Sequence, residues 1–308
     1  MKILGIGNAI VDVLCKVDDE FLIKNSLIKS TMKLIDEAEF KNLLSGLTIQ
    51  DTISGGSVAN SVVGLSQLGN RVGFIGKVND DNLGQKYEDG LKKEKVNFLY
   101  KKNSESTPTG TCLILITPDS ERTMCTFLGI AGKINDKDVD ANLIKNAEIT
   151  FLEGYLWDEG EPKKAFDKAI LNSNKVAMSL SDLFCVERHK AQFLELVKNK
   201  LDIIFANEQE ILSLIESDSF DEAVTFLKNL NKNIVITRGE KGAIAINEGE
   251  IEECAAEKNL NIADLTGAGD LFAAGYLHGI INNLTTKESL IKGTELSSKI
   301  IQKIGARI

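Results

Sequence analysis

The sequence predicts an α/β protein built on a doubly wound, mostly parallel sheet with helices on both faces, topped by a small β-sheet lid. Three observations lead there. From Ile149 onward, short apolar runs alternate with helical stretches; the opening Ile3-Leu4-Gly5-Ile6 is another such run; and between Thr111 and Leu128 a β-hairpin interrupts the alternation. At 308 residues the chain fits one large domain, 1–308, with the lid inserted from about 12–50 and 96–130.

Taken in order, Ile3–Ile6 reads as a buried strand and Ile10 to Val17 alternates as a second. Acids at Asp36, Glu37 and Glu39 open a short helix. Ser54-Gly55-Gly56-Ser57 is a glycine turn feeding the small-residue helix that carries Asn60, with Ser57 suited to its N-cap; the di-glycine serves as a hinge or ligand approach, or as a plain turn. Val72 to Lys77 is a strand and Asn82 to Lys93 a helix. Thr111–Thr117, the turn Pro118-Asp119-Ser120-Glu121 and Arg122–Leu128 form the hairpin, in which Cys112 and Cys125 should lie nearly opposite as free thiols. Further strands are expected near Thr150–Leu152, Val176–Met178, Ile203–Phe205 and Ile234–Ile236.

Composition narrows the function. With 36 basic and 45 acidic residues the net charge is -9, and no Lys/Arg cluster stands out, which argues against nucleic acid or an anionic membrane as partner. No apolar run is long enough to span a bilayer and the start lacks a secretory signal, so a cytoplasmic chain is expected. Cys15, Cys112, Cys125, Cys185 and Cys254 are scattered without metal-ligand spacing, and His189 and His278 are read as surface or packing residues. The oligomeric state is left as monomer or homodimer, since a lid edge could pair with a second copy.

The richest stretch is Asp264-Leu265-Thr266-Gly267-Ala268-Gly269-Asp270, which runs into an apolar helix. Gly267, Ala268 and Gly269 let the backbone turn tightly while the first-turn N–H groups face outward, an anion site at the positive end of a helix dipole. Asp270 inside it would repel a bound phosphate but suits a base that deprotonates an attacking hydroxyl; a glycine-rich N-cap complemented by an acid is the plainer reading. After the strand Ile203–Phe205, Asn207 and Glu210 share a helix face at i, i+3, where they could hold the water shell of Mg²⁺ or simply cap the helix. After Ile234–Ile236, Thr237-Arg238-Gly239-Glu240-Lys241-Gly242 suits the phosphates or ribose of a nucleotide, or a β-turn. Together these sets specify phosphoryl transfer from ATP to a hydroxyl, and without a G-x-x-x-x-G-K-[ST] motif this is no P-loop enzyme.

With these residues assembled, the chain resembles the ribokinase/PfkB family of carbohydrate and nucleoside kinases, and within it the adenosine kinases. The resemblance runs from Gly5 to about Gly305. It is carried by Asp264-x-Thr266-Gly267-Ala268-Gly269-Asp270 and Gly55-Gly56-x-x-x-Asn60, with Asn207-x-x-Glu210, Gly7-Asn8-x-x-Val11-Asp12 and Pro108-Thr109-Gly110-Thr111-Cys112 in support. It implies a ribokinase-like fold and ATP with Mg²⁺. It also implies Asp270 as base, the anion hole of Gly267, Ala268 and Gly269, and Thr237, Gly239 and Gly242 beside the nucleotide. Asp12 would bind two acceptor hydroxyls, with Asn8, Gly55, Gly56 and Asn60 around it. Arg122 would swing toward the phosphates as the lid shuts. The acceptor is implied to be adenosine, with a free sugar (ribose or fructose) as the alternative and a non-catalytic nucleoside binder as a more distant one. Two departures matter. Leu156 of Tyr155-Leu156-Trp157 stands where an aromatic stacks on the base in some relatives. A monovalent cation such as K⁺ is compatible with the resemblance, but the chain ends at Ile308, soon after Gly305, where one usual ligand of that site is expected to be missing. Leu14, Met124 and Phe127 fit either a wrap for a flat base or ordinary core.

Overall fold

Apolar side chains pointing alternately to both sides of one large sheet organise the molecule. The structure, a computed structural model, describes every residue except Ser120 and Glu159; Ser120, which the sequence puts in the hairpin turn, lies outside the described residues. Nine strands form the sheet in the spatial order Glu250–Cys254, Ala243–Asn247, Asn233–Thr237, Ile203–Asn207, Val176–Ser179, Ile149–Glu153, Ile3–Ile6, Val72–Ile75, Asn97–Phe98. Pairing is parallel from Asn233–Thr237 to the far edge and antiparallel for the two strands at the other. Period-two alternation sends Ile3, Phe74, Phe151 and Ala177 into one core and Leu4, Ile75, Leu152 and Met178 into the other, which requires helices on both faces.

The first strand lies inside the sheet, with Val72–Ile75 on one side and Ile149–Glu153 on the other. Strand order therefore reverses between Ile3–Ile6 and Ile149–Glu153, and a crevice opens beyond their carboxyl ends. A five-stranded sheet in the order Met32–Leu34, Arg122–Phe127, Gly110–Ile116, Ile10–Lys16, Ile49–Ser54 stands over that crevice. The hairpin of the sequence reading is present within it. Two details differ. Asn97–Phe98 pairs with Val72–Ile75 in the large sheet, so the second segment of the small sheet begins at Gly110 rather than near residue 96. Cys112 faces Thr126 and Cys125 faces Leu113, one position out of register, so the two thiols point to opposite faces and both are free.

Two helices aim their N-termini at the crevice, Ser57–Gln67 and Ala268–Ile281. Glycine permits their spacing: a Cβ on Gly64 would sit 2.7 Å from Leu271 Cδ1 and 3.1 Å from Ala274 Cβ. The buried helix Ala268–Ile281 presses its other side on Thr286–Ile300, where a Cβ on Gly275 would collide with the Lys292 carbonyl oxygen. Gly275→Val should lower unfolding stability by about 1–3 kcal/mol through overpacking, read as a fall in the urea midpoint at unchanged m-value.

Candidate active site

Three cavities lie end to end along the crevice. The first, about 300 Å³, runs between the small sheet and the strand ends and has Asn8, Asp12, Gly56 and Glu153 in its wall. The second, about 440 Å³, shares Ser57, Met124 and Tyr155 with the first and is bounded by Gly267, Ala268, Gly269, Asp270, Asn207 and Glu210. A third, about 730 Å³, shares Thr237, Ala268 and Gly269 with the second and reaches Gly239 and Gly242. An acceptor, a transferring group and a long donor would lie in that order.

Asp270 lines the second cavity, against Ser57, which borders both the first and the second. It is the third residue of the helix Ala268–Ile281, whose N-cap Gly267 has φ 77, a left-handed value that glycine adopts without strain. Ser57 Oγ donates to Asp270 Oδ1 at 2.6 Å and Asn60 Nδ2 to Oδ2 at 3.0 Å, while Ser61 Oγ donates to the Asp270 carbonyl at 2.8 Å. The N-cap of the other helix is Gly56, φ 99, and not Ser57, whose hydroxyl is thereby left for Asp270. Gly56 comes so close to Asn8 that a Cβ would strike its carbonyl oxygen, and a Cβ on Gly55 would strike the Asp12 carboxylate.

Several candidates take places the sequence reading did not give them. Gly55 lies behind Asp12, and Asn60 orients Asp270 instead of facing the first cavity. Asn207 and Glu210, in contrast, take one of the two places the sequence offered, the helix cap: Asn207 Oδ1 accepts from Glu210 N at 2.8 Å, and both Glu210 oxygens accept from Asn207. Arg238 turns from the cavities to Glu208, 2.9 Å away, and to the ring of Phe220. Arg122 does not face the anion hole; it pairs with Asp264 at 3.1 Å, tying the small sheet to the loop that precedes Gly267. Leu156 and Trp157 are buried, and the exposed rings in the wall of the first cavity are those of Tyr155 and Phe184.

The signature described as pfkB family carbohydrate kinase matches residues 32–308. The chain belongs to the PfkB family. Adenosine kinase from Sinorhizobium meliloti shares the fold with a TM-score of 0.92 and 36% identity, over 100% of this chain and 95% of that one. Adenosine kinase 2 of Arabidopsis thaliana is 25% identical over 98% of this chain and 94% of its own length. The 5-dehydro-2-deoxygluconokinase of Clostridium perfringens is 28% identical over 80% of this chain and 78% of its own. This PfkB protein is therefore an ATP-dependent kinase with an alcohol group as acceptor, on the ribokinase-like fold the sequence implied. Among the described residues no helix is long and apolar enough to cross a membrane.

Two residues of the kinase site escaped the sequence reading. Glu153 closes the strand Ile149–Glu153 at the point of strand reversal, where its Oε1 accepts from Asn8 N at 3.2 Å and Asn8 Nδ2 at 3.0 Å and its Oε2 from Val58 N at 3.0 Å. A lone carboxylate ending an otherwise apolar strand was the available signal. Arg307 approaches from the far end of the sequence, 247 positions beyond its partner Asn60 and in no recognisable motif, and nothing in the sequence pointed to it. Its Nε donates to Asn60 Oδ1 at 3.2 Å.

Burial dominates the electrostatics of this PfkB site. It pushes Asp270 up to about 6 and Asp12, Glu153 and Glu210 up to about 7, against the hydrogen bonds and the nearby Arg307 and Arg122 charges that pull individual members down. Each of these carboxyls holds a proton when folded at pH values where the unfolded chain has lost it. Their joint contribution to stability is thus fully present below about pH 4 and is lost as pH rises through 6 to 7. Asp12→Asn should stabilise the fold at pH 8 by ~1–2 kcal/mol, with the gain vanishing near pH 4, as urea unfolding at the two pH values would register.

Proposed function

We propose that the chain phosphorylates adenosine, transferring the γ-phosphoryl group of ATP to the 5′-hydroxyl. The observation that carries this reading is the two-ended first cavity. Its polar end holds Asp12 and the Asn8 side-chain oxygen, which is buried without a hydrogen-bond partner, whereas Cys112, Met124, Leu128, Trp157 and Phe184 supply apolar walls, with Asp158, Asp182, Arg188 and His189 also in the lining. A ribose diol donating to Asp12 and Asn8 satisfies the first end, and a flat heterocycle removes water from the second. A free sugar would leave the apolar walls uncovered.

In this reading the 5′-hydroxyl lies against Asp270, which takes its proton as the oxygen attacks phosphorus. Ser57 and Asn60 fix the two carboxylate oxygens, and the backbone N–H groups at Gly267, Ala268 and Gly269 face the charge that builds on the transferring group. Thr237, Gly239 and Gly242 border the donor nucleotide. Asn207 and Glu210 fit Mg²⁺ through its water shell: each Glu210 oxygen already accepts from Asn207 but keeps further acceptor capacity, and their cavity meets the anion hole. When bound, the ion would neutralise phosphate charge. The small sheet acts as the lid, and its Arg122–Asp264 pair keeps it against the transfer site.

A sugar kinase is the second reading, favoured by the buried Leu156 and by the likeness to the gluconokinase. ADP release with Mg-ATP, measured side by side for adenosine, other nucleosides, ribose and fructose, separates the two. A preference of at least about tenfold in kcat/KM for adenosine is expected; turnover of a free sugar in its place removes the nucleoside assignment. In the same assay Asp270→Asn should cut kcat by roughly 10²–10⁴-fold while calorimetry still shows acceptor binding.

A further inference from the structure

Arg307 plays no part in the chemistry above, yet it is built into the site with some care. It belongs to an arm that follows the helix Thr286–Ile300 and is anchored at three places. Gly305 N donates to Asp264 Oδ2 at 2.8 Å, Gln67 Nε2 donates to the Ile308 carbonyl at 3.1 Å, and Ala306 lies 2.8 Å from where a Cβ on Gly267 would stand. The arm so held delivers a guanidinium to the interior. There Nε reaches Asn60 Oδ1, Asn60 Nδ2 reaches Asp270 Oδ2, and Arg307 Nη2 has no hydrogen-bond partner among the described residues.

Burying a guanidinium without a paired carboxylate is expensive, and a brace for the arm could be apolar. The charge instead falls on the acids of the site. We infer that Arg307 is a positioning residue for the base: through Asn60 it orients the Asp270 carboxylate, and its charge favours ionised Asp270 and Asp12 in a cavity that otherwise disfavours ionisation. The inference rests on the reading of Asp270 as base. Arg307 pulls both acids down, against the burial that dominates them. The other charged or titratable groups facing this cluster are Glu153 at the end of its strand, Tyr155 after it, Tyr87 and Glu94 from the helix Asn82–Lys93 and its end, and Cys112 and Arg122 of the small sheet. Asp12 and Glu153 are each raised by the like charge of Asp270, and Arg307 is the cation that counters this at Asp12 and Asp270, although burial remains the larger effect.

The test separates charge from support. Arg307→Gln keeps a donor for Asn60 and loses the charge, whereas Arg307→Lys keeps the charge and loses the fork. ¹³C-carboxylate NMR of the full chain, with the Asp270 signal identified by its absence in Asp270→Asn, follows the titration directly. In Arg307→Gln the Asp270 midpoint should move up by roughly half a pH unit or more, and in Arg307→Lys it should stay within a few tenths. The acid limb of kcat/KM should move upward with it in the glutamine variant alone. An unmoved Asp270 titration in Arg307→Gln overturns the inference. So does an equal, pH-independent loss of rate in both variants that tracks a lower unfolding midpoint, which would make Arg307 a brace. If the unsubstituted chain phosphorylates no acceptor, the base reading falls, while the carboxylate titration still decides what Arg307 does to Asp270.

Discussion

The close contact of two helix N-termini is the constraint on which the rest depends. Ser57–Gln67 and Ala268–Ile281 approach one another at Gly64, Leu271 and Ala274, and that approach sets Ser57 and Asn60 against the Asp270 carboxylate. A wider spacing would leave the carboxylate without fixed donors, and a side chain at Gly64 would impose it. Because side chains of both helices fill the same core as Phe74 and Phe151, the position of Asp270 is tied to the central sheet and not to a loop.

The same packing creates an electrostatic problem. Asp12, Glu153, Asp270 and Glu210 are buried where water is scarce, so each resists ionisation, and like charge adds to this at Asp12 and Glu153 through Asp270 and at Glu210 through Asp182. The molecule answers with directed donors. Glu153 receives three N–H groups, Asp270 a hydroxyl and an amide, and Glu210 the two groups of Asn207. Arginines enter from opposite directions, Arg122 from the small sheet and Arg307 from the arm, and both converge on the loop and helix start around Asp264 and Asp270. A bound acceptor that replaces water at Asp12 joins a network already half satisfied by the protein itself.

Sequence periodicity was enough for the doubly wound sheet, because a parallel strand buried on both faces is a continuous apolar run and the helices between carry a different period. It was also enough for glycine turns, since Gly56 and Gly267 adopt backbone angles that other residues resist. Pairing between distant segments was not legible. The one-residue offset of Cys112 and Cys125 depends on the hairpin register, and the placement of Asn97–Phe98 on long-range pairing. The turning of Arg122 to Asp264 and of Arg307 to Asn60 joins segments far apart in the chain, the second pair 247 positions apart, and no local pattern encodes such a meeting.

The interior position of the first strand bears on how the chain is made. Ile3–Ile6 precedes both of its neighbours, Val72–Ile75 and Ile149–Glu153, in the chain, so its second edge stays open until the residues up to Glu153 have been made. Pairings of such long sequence separation close slowly, and an apolar strand with a bare edge is a template for pairing with other chains. Asn8, which continues that strand into the crevice, acquires its partner Glu153 in the same late event. Assembly of the cavity wall around Asn8 and Glu153 and closure of that strand's open edge are therefore one folding step.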